Sequence, residues 1–465
     1  MHKLCFTELF SYYKEDDFMK YLSKKLKYFT SNPPRMLAGG FFIFIFLGSI
    51  LLSLPFSSVG TRPKYLDALF TSTSAVCVTG LTTLNTSLTW SPFGKTVILI
   101  LIQIGGWGVV TIAALVAMAL GKTIGLNDRI SIQTQMNEKN LNGMVRLIRY
   151  ILASSLLIEG AGALLLSIRF VPEFGMFKGI FYGVFHSISA YCNAGFDLFG
   201  DSLIGFQKDY FVLLTISFLI ITGGLGFSVY ASIMMYFREK KRLNIHAKVV
   251  LVSTIVLLTI GTVLFFFLEE KNPGTIKHLS GSEKLLNSFF HSVTLRTAGF
   301  YSIAVETLKE SSSVLSMALM FIGGCPAGTA GGIKTTTFAL LILTMWTELK
   351  GEGDVIIFQR RISPSNIRQA LSIIIIGLVW IFVATFILLI TENTTSREAF
   401  FEIFSAFGTV GITMGLTPHL SIIGKVIVIL TMFTGRVGTL TMGYAFAKKK
   451  KIKPYRELEE NIMIG

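Results

Sequence analysis

Uncharged apolar runs recur from residue 36 almost to the end of the chain, and they come in two lengths. Eight are long enough for a helix to cross a bilayer core, which takes about 20 apolar residues: 36–54, 96–120, 147–168, 210–236, 249–268, 311–346 with an interruption, 369–391 and 426–447. Between the members of each successive pair lies a shorter stretch ending near a glycine, at 65–81, 177–196, 285–300 and 397–412. These are too short to span, and their lengths suit segments that enter the membrane and return on the same side. Irregular backbone at that depth is tolerated only where protein buries it or it lines a water-filled path, so a pore would satisfy all four.

The short stretches resemble one another: TSTSAVCVTGL, HSISAYCNAGF, HSVTLRTAGF and FSAFGTVGI. Their glycines, Gly80, Gly195, Gly299 and Gly411, are separated by 115, 104 and 112 residues, a repeat of the whole chain. The pattern predicts an all-α polytopic membrane protein with eight transmembrane helices and four re-entrant pore helices, in four pseudo-symmetric helix, pore loop, helix repeats around one central pore. The repeats occupy 36–120, 147–237, 249–348 and 369–447, joined by cytosolic connections at 121–146, 238–248 and 349–368. A cytosolic segment, 1–35, precedes them and a cytosolic tail, 448–465, follows. No apolar stretch of signal-peptide length or small-residue cleavage site marks the first segment, so it is expected to be retained.

Charge orients this arrangement. Only 15% of residues are charged, and the net charge is +15. The basic residues are not gathered with aromatics into one domain, which argues against a nucleic-acid surface. They cluster at Lys20 to Arg35, Arg238 to Lys248, Lys350 to Arg368 and Lys448 to Lys451. The positive-inside rule makes these ends cytoplasmic and both termini cytosolic, in agreement with an even number of spans. Cys5, Cys77, Cys192 and Cys325 form no Cys-x-x-Cys pair, so neither a zinc site nor a disulfide framework is indicated.

A cation leaving water needs replacement oxygens, and rings of backbone carbonyls from four pore loops supply them. The candidate filter residues are Cys77, Val78, Thr79 and Gly80; Cys192, Asn193, Ala194 and Gly195; Arg296, Thr297, Ala298 and Gly299; and Gly408, Thr409, Val410 and Gly411. Each set is expected to form a short extended run. The C-terminal, partly negative ends of the preceding short helices favour a cation at the centre.

A second glycine motif lies in the second helix of each repeat: Gly105-Gly106-Trp107-Gly108, Gly223-Gly224-Leu225-Gly226, Gly323-Gly324-Cys325-Pro326 and Gly435-Arg436-Val437-Gly438. Small residues let membrane helices approach closely, so packing is the first reading. Two copies depart from it. Arg436 lies twelve residues before Lys448, about 18 Å along a straight helix, where a charge costs about 2.5 to 3.5 kcal/mol. It is either functional or a snorkelling, paired arginine.

In the third repeat, GGCPAGTAGGIKTTT interrupts the helix with a proline and several glycines. Gly323, Gly324, Cys325, Pro326, Ala327, Gly328, Thr329, Ala330, Gly331, Gly332 and Lys334 are therefore candidates for a loop that blocks the path, with Arg436 as its counterpart. A merely kinked helix is the alternative. Glu159, inside the third span, is open to an arginine, an ion or a structural hydrogen bond. His186 and His291 are placed at matching positions at the start of two pore helices, with capping and packing roles. No nucleophile and base converge at membrane depth, which argues against an enzyme.

CVTGL, YCNAGF, LRTAGF, GTVGI, PAGTAGGIKTTT and GRVGTLTMG, within a resemblance running from about residue 35 to 465, are similar to the Trk/Ktr/HKT superfamily of cation transporters. Within it the chain most resembles the KtrB-like membrane subunits of Ktr potassium uptake systems, because Trk-type subunits carry an additional N-terminal helix pair. The resemblance implies that the four glycines favour potassium, that 323–334 is an intramembrane gating loop and that Arg436 faces it. It further implies a homodimer in the cytoplasmic (inner) membrane, one pore per protomer, on a cytosolic ring of KtrA-like nucleotide-binding subunits. No cofactor is expected on this chain, and potassium is the transported ion. Cys325 and Pro326 depart from the small or hydroxyl residues that relatives carry in this loop. Sodium coupling stays open, as does a less selective or sodium-preferring pathway.

Overall fold

The computed structural model describes residues 33–108, 144–240, 242–446 and 460. The proposed cytosolic segment before residue 33, most of the connection 121–146 and nearly all of the tail 448–465 lie outside the described residues.

The longer helices are α1 (Pro33–Leu52), α4 (Met144–Phe174), α8 (Ile245–Glu269) and α12 (Pro364–Thr391). By length and composition these four can cross a membrane, and a fifth span results if a bent pair of helices is counted as one. Large apolar side chains point outward from them, among them Phe42, Leu157, Phe267 and Ile390. In a soluble protein such exposure would promote association, whereas lipid is its natural environment. Each long helix leads into a short one: α2 (Tyr65–Val76), α5 (Met176–Tyr191), α9 (Gly281–Thr294) and α13 (Ser396–Gly408). The last two begin with capping boxes, Ser280 with Glu283 and Thr395 with Glu398, which fix where the chain turns inward.

The second helices are α3 (Pro92–Trp107), α6 (Tyr210–Gly224), α10 (Glu310–Phe321) and α14 (Ile422–Val437). They stop at the glycine motif in every repeat, which the sequence reading anticipated only for the third. Gly108, Gly226 and Gly438 take φ of +84°, +88° and +92°, angles that an L side chain rarely adopts. In the last three repeats new helices follow the break: α7 (Phe227–Glu239), α11 (Thr335–Leu349) and α15 (Thr439–Phe446). The α6–α7 pair bends by 93°. Because α14 ends before Gly438, the straight helix used to place Arg436 does not exist.

The second helix of each repeat packs on the short helix of the next: α3 on α5, α6 on α9, α10 on α13, and α14 back on α2. This cyclic order encloses a core that includes Phe70, Tyr191, Phe290 and Phe407. A small antiparallel hairpin, β1 (Ile356–Ile357) and β2 (Arg360–Arg361), adds the described strands to an otherwise helical chain.

Candidate ion pathway

The short helices aim their C-terminal ends at one place, where the four quartets form similar turns. Val78, Asn193, Thr297 and Thr409 have φ of +56°, +59°, +72° and +51°. The expected extended run is therefore broken at its second residue in every loop. The backbone N–H groups of Thr79, Ala194 and Val410 donate back to Ser74, Ser189 and Ser405 at 2.7–2.8 Å, and that of Ala298 donates to Thr294 at 2.9 Å. Ser74 and Ser405 hydroxyls further hold the N–H of Gly80 and Gly411 at 3.0 and 3.1 Å. With the N–H groups turned toward their own helices, the carbonyls of Thr79, Ala194, Ala298 and Val410 accept no hydrogen bond among the described residues.

The glycines show where those carbonyls lie. A Cβ at Gly80 would meet the Ala194 carbonyl oxygen at 2.6 Å, one at Gly195 the Ala298 oxygen at 2.7 Å, and one at Gly299 the Val410 oxygen at 2.5 Å. A Cβ at Gly411 would strike the Thr79 oxygen, which closes the circle. Each glycine thus leaves space for the carbonyl of the next loop. Unbonded oxygens that no donor reaches, at the negative ends of four helices, suit a desolvated cation. The side chain of Arg296 leaves this ring: its guanidinium lies behind the loop, 3.7 Å from Cys325 Sγ.

Below the ring, residues 322–334 form the break between α10 and α11. The segment is held by backbone bonds from Cys325 to Gly224 and from Thr329 to Gly223, and by one from Phe227 to Ala327. The Thr329 hydroxyl donates to the Tyr191 carbonyl at 3.2 Å, and Gly331 lies against Thr409, so the loop touches the undersides of the second and fourth quartets. Lys334 Nζ donates to Ala330 at 2.6 Å. Arg436 donates to the Thr329 carbonyl and, at 2.5 Å, to the Gly105 carbonyl. Its charge is thus met by backbone oxygens of the loop and of the first repeat.

The other singled-out residues have local partners. Glu159, 4% exposed, accepts from Gln103 at 3.0 Å and lies 3.9 Å from Cys192 Sγ, which selects the hydrogen-bonded reading. His186 and His291 lie in the C-terminal halves of α5 and α9, nine and eight residues before their glycines, and are neither caps nor register-matched. His186 Nδ1 contacts the Tyr182 carbonyl at 2.7 Å and His291 Nε2 the Ser316 hydroxyl at 3.2 Å, so both are packing residues. Sequence reasoning passed over the ion pair of buried Asp67 and partly buried Lys425, 2.6 Å apart, which ties α2 to α14. It also passed over Glu402, fully buried and held by Thr413 and Thr417. Only the position of each acid in a short apolar helix could have flagged it.

The TrkH family, described as cation transport proteins, matches residues 41–455. This chain belongs to the TrkH family. It is 44% identical to the Ktr system potassium uptake protein B of Bacillus subtilis over 429 residues, 92% of this chain and 96% of that one. It is 43% identical to the potassium/sodium uptake protein NtpJ of Enterococcus hirae over 441 residues, 93% and 97% of the two chains. The crystal structure of the potassium transporter TrkH from Vibrio parahaemolyticus matches with a TM-score of 0.67 at 19% identity, over 88% of this chain and 85% of that one, and so shares the fold. As a TrkH-family protein of KtrB-like type the chain is a multi-pass membrane transporter, not an enzyme.

Proposed function

We propose that this chain takes up potassium across the cytoplasmic membrane, through a filter formed by its four short loops. The observation that carries this reading is the closed circle of free carbonyls at Thr79, Ala194, Ala298 and Val410, each set against a glycine of the neighbouring loop. Oxygens in that arrangement replace a potassium ion's water, and four glycines leave no side chain to alter the spacing. The pairing of second helix with next short helix fits four repeats and eight crossings, counting each broken helix once, and the basic connections put the termini in the cytosol.

The segment 322–334 is the gate in this reading. It lies against the filter from below, and Arg436 holds it by the Thr329 carbonyl. Opening requires these contacts to be exchanged, which a pull on the half-helices α7, α11 and α15 from the cytosolic side achieves. A homodimer seated on KtrA-like nucleotide-binding subunits supplies such a pull, and three relatives carry Ktr in their names.

The test is rubidium uptake and growth on limiting potassium in a bacterial strain without its own uptake systems, with the chain alone and with a KtrA-like partner. Rescue that the partner strengthens is the expected result; inserted protein that rescues in neither setting removes the potassium reading. Running uptake with and without sodium decides sodium dependence, which the potassium/sodium designation of the Enterococcus relative motivates. Gly80→Ser is expected to lower potassium over sodium preference by about tenfold, or 1.4 kcal/mol. Unchanged preference in the inserted variant overturns the filter assignment.

A further inference from the structure

Each of the four short helices carries a buried side chain that accepts a hydrogen bond from the chain just beyond its own ring glycine. On α2, Asp67 accepts from the Thr83 hydroxyl at 2.9 Å. On α5, His186 Nε2 accepts the backbone N–H of Leu198 at 3.3 Å. On α9, Asn287 accepts from the Ser302 hydroxyl at 2.6 Å. On α13, Glu402 accepts from the Thr413 hydroxyl at 2.7 Å and from that of Thr417. Thr83, Leu198 and Ser302 lie three residues past Gly80, Gly195 and Gly299, and Thr413 lies two past Gly411. The four acceptors share no motif, only this bond.

Three of them also serve other parts of the molecule. Asp67 meets Lys425 at 2.6 Å, His186 Nδ1 contacts the Tyr182 carbonyl at 2.7 Å, and the Asn287 amide donates to the Gln207 and Glu283 carbonyls. Glu402 differs. Among the described residues its side chain bonds only to Thr413 and Thr417, both on the chain that leaves its own loop. Thr413 in turn accepts the N–H groups of Gly415 at 3.1 Å and of Thr417 at 3.4 Å, so its own hydrogen is committed to Glu402. A buried carboxyl group is unfavourable unless its oxygens are bonded, and here those bonds all run to the stretch 413–417.

That stretch begins where the ring ends. The N–H of Val410 is tied to the Ser405 carbonyl at 2.8 Å and that of Gly411 to the Ser405 hydroxyl at 3.1 Å, which fixes the loop from the end of α13. Glu402 fixes it from the other side, through Thr413. The Val410 carbonyl, set against Gly299 in the ring, is therefore suspended between two anchors on one helix. Oxygens held at a set separation suit the larger potassium ion, whereas oxygens free to close in also serve sodium.

We propose that Glu402 is a specificity-determining positioning residue: by holding the chain beyond Gly411 it sets where the Val410 carbonyl stands, and so favours potassium over sodium. The inference rests on the filter reading and adds to it a residue that is itself fully buried.

Full-length wild type and variants are reconstituted in vesicles, and rubidium uptake is measured against increasing external sodium, with the melting temperature of each protein taken separately. Glu402→Met keeps the length of the side chain and removes both acceptor oxygens, and its preference for rubidium over sodium is expected to fall by about fivefold. Glu402→Gln retains an acceptor for Thr413 and is expected to keep most of the preference. Adding Thr417→Val to Glu402→Met is expected to change nothing further, because the bond it removes is already gone. A folded Glu402→Met protein with wild-type preference overturns the inference, and so does a fall in melting temperature or uptake rate that leaves the preference intact. Should Glu402→Met fail to elute as a folded species, Thr417→Val alone is measured in its place and is expected to lower the preference by about twofold or more; wild-type preference there overturns the inference. Inserted wild type that takes up no rubidium, or takes it up without discriminating against sodium, overturns the potassium reading instead, so the two failures are told apart by the wild type alone.

Discussion

The carbonyl ring and the breaks beneath it derive from the same repeat and diverge in opposite directions. Around the ring the four loops share left-handed angles at the same two positions, although their side chains range from valine to asparagine. Backbone performs the work there, so side chains are free to vary. Below the ring, Gly105, Gly223 and Gly435 each press on the last turn of a short helix, at the carbonyls of Val76, Tyr191 and Phe407. In the third repeat the equivalent Gly323 meets Gly331 of its own loop instead. One repeat in four has exchanged a packing contact for a folded-back segment, and Arg436 of another repeat reaches across to it. On the proposed reading, symmetry serves coordination and its local loss supplies a part that can move.

That contrast can be broken most severely where the cycle closes. Lys425→Met leaves the buried Asp67 carboxylate without its cation and with the Thr83 hydroxyl as its remaining side-chain donor, which costs up to about 3 kcal/mol. A large fall in the melting temperature of detergent-solubilised protein is expected; an unchanged melt would show that the pair does not hold the ring closed. Next is Arg436→Gln, which weakens charge-assisted bonds to Thr329 and Gly105 worth about 1.5 to 3 kcal/mol each. Basal rubidium uptake without a partner is expected to rise by about tenfold or more, and unaltered basal uptake would separate Arg436 from the gate.

The glycines then separate the two regions within one experiment. Gly223→Ala pushes a methyl into the Tyr191 carbonyl and is expected to cost about 1 to 3 kcal/mol of stability. Gly323→Ala is expected to change basal flux more than the melt, because its neighbour is the loop itself. Equal melting losses in both would mean that the third break packs like the others.

The smallest effect concerns the outer ends of the short helices. Thr395→Ala removes one half of a capping box and is expected to cost about 1 kcal/mol. Backbone and hydroxyl donors at Thr395 and Thr394 hold the Glu398 carboxyl below its ordinary range. Its contribution is complete above the unfolded carboxyl value and is lost as pH falls through the folded one. The wild-type and Glu398→Gln melts are therefore expected to converge in acid, and parallel curves would deny the carboxylate its role.

The sequence by itself determined the alternation of long and short apolar segments and the family, and it proposed the repeat and the positions of the ring. These rest on local facts: apolar length, and glycine wherever a side chain would collide or the backbone must turn left. It pointed to the loop 322–334 through its glycines and proline, and to Arg436 through the isolation of its charge. Tertiary structure decided the rest. GGWG, GGLG and GRVG read as packing motifs because a glycine's φ is not written in its neighbours, so the breaks after Trp107, Gly224 and Val437 emerged only in the fold. The Asp67–Lys425 pair joins residues 358 positions apart, and the contact between Arg436 and Thr329 spans 107. No spacing rule reaches that far, because such contacts are set by which helix packs beside which. The direction of the Arg296 side chain, away from the ring its backbone helps to form, was settled in the same way, by the space its neighbours left.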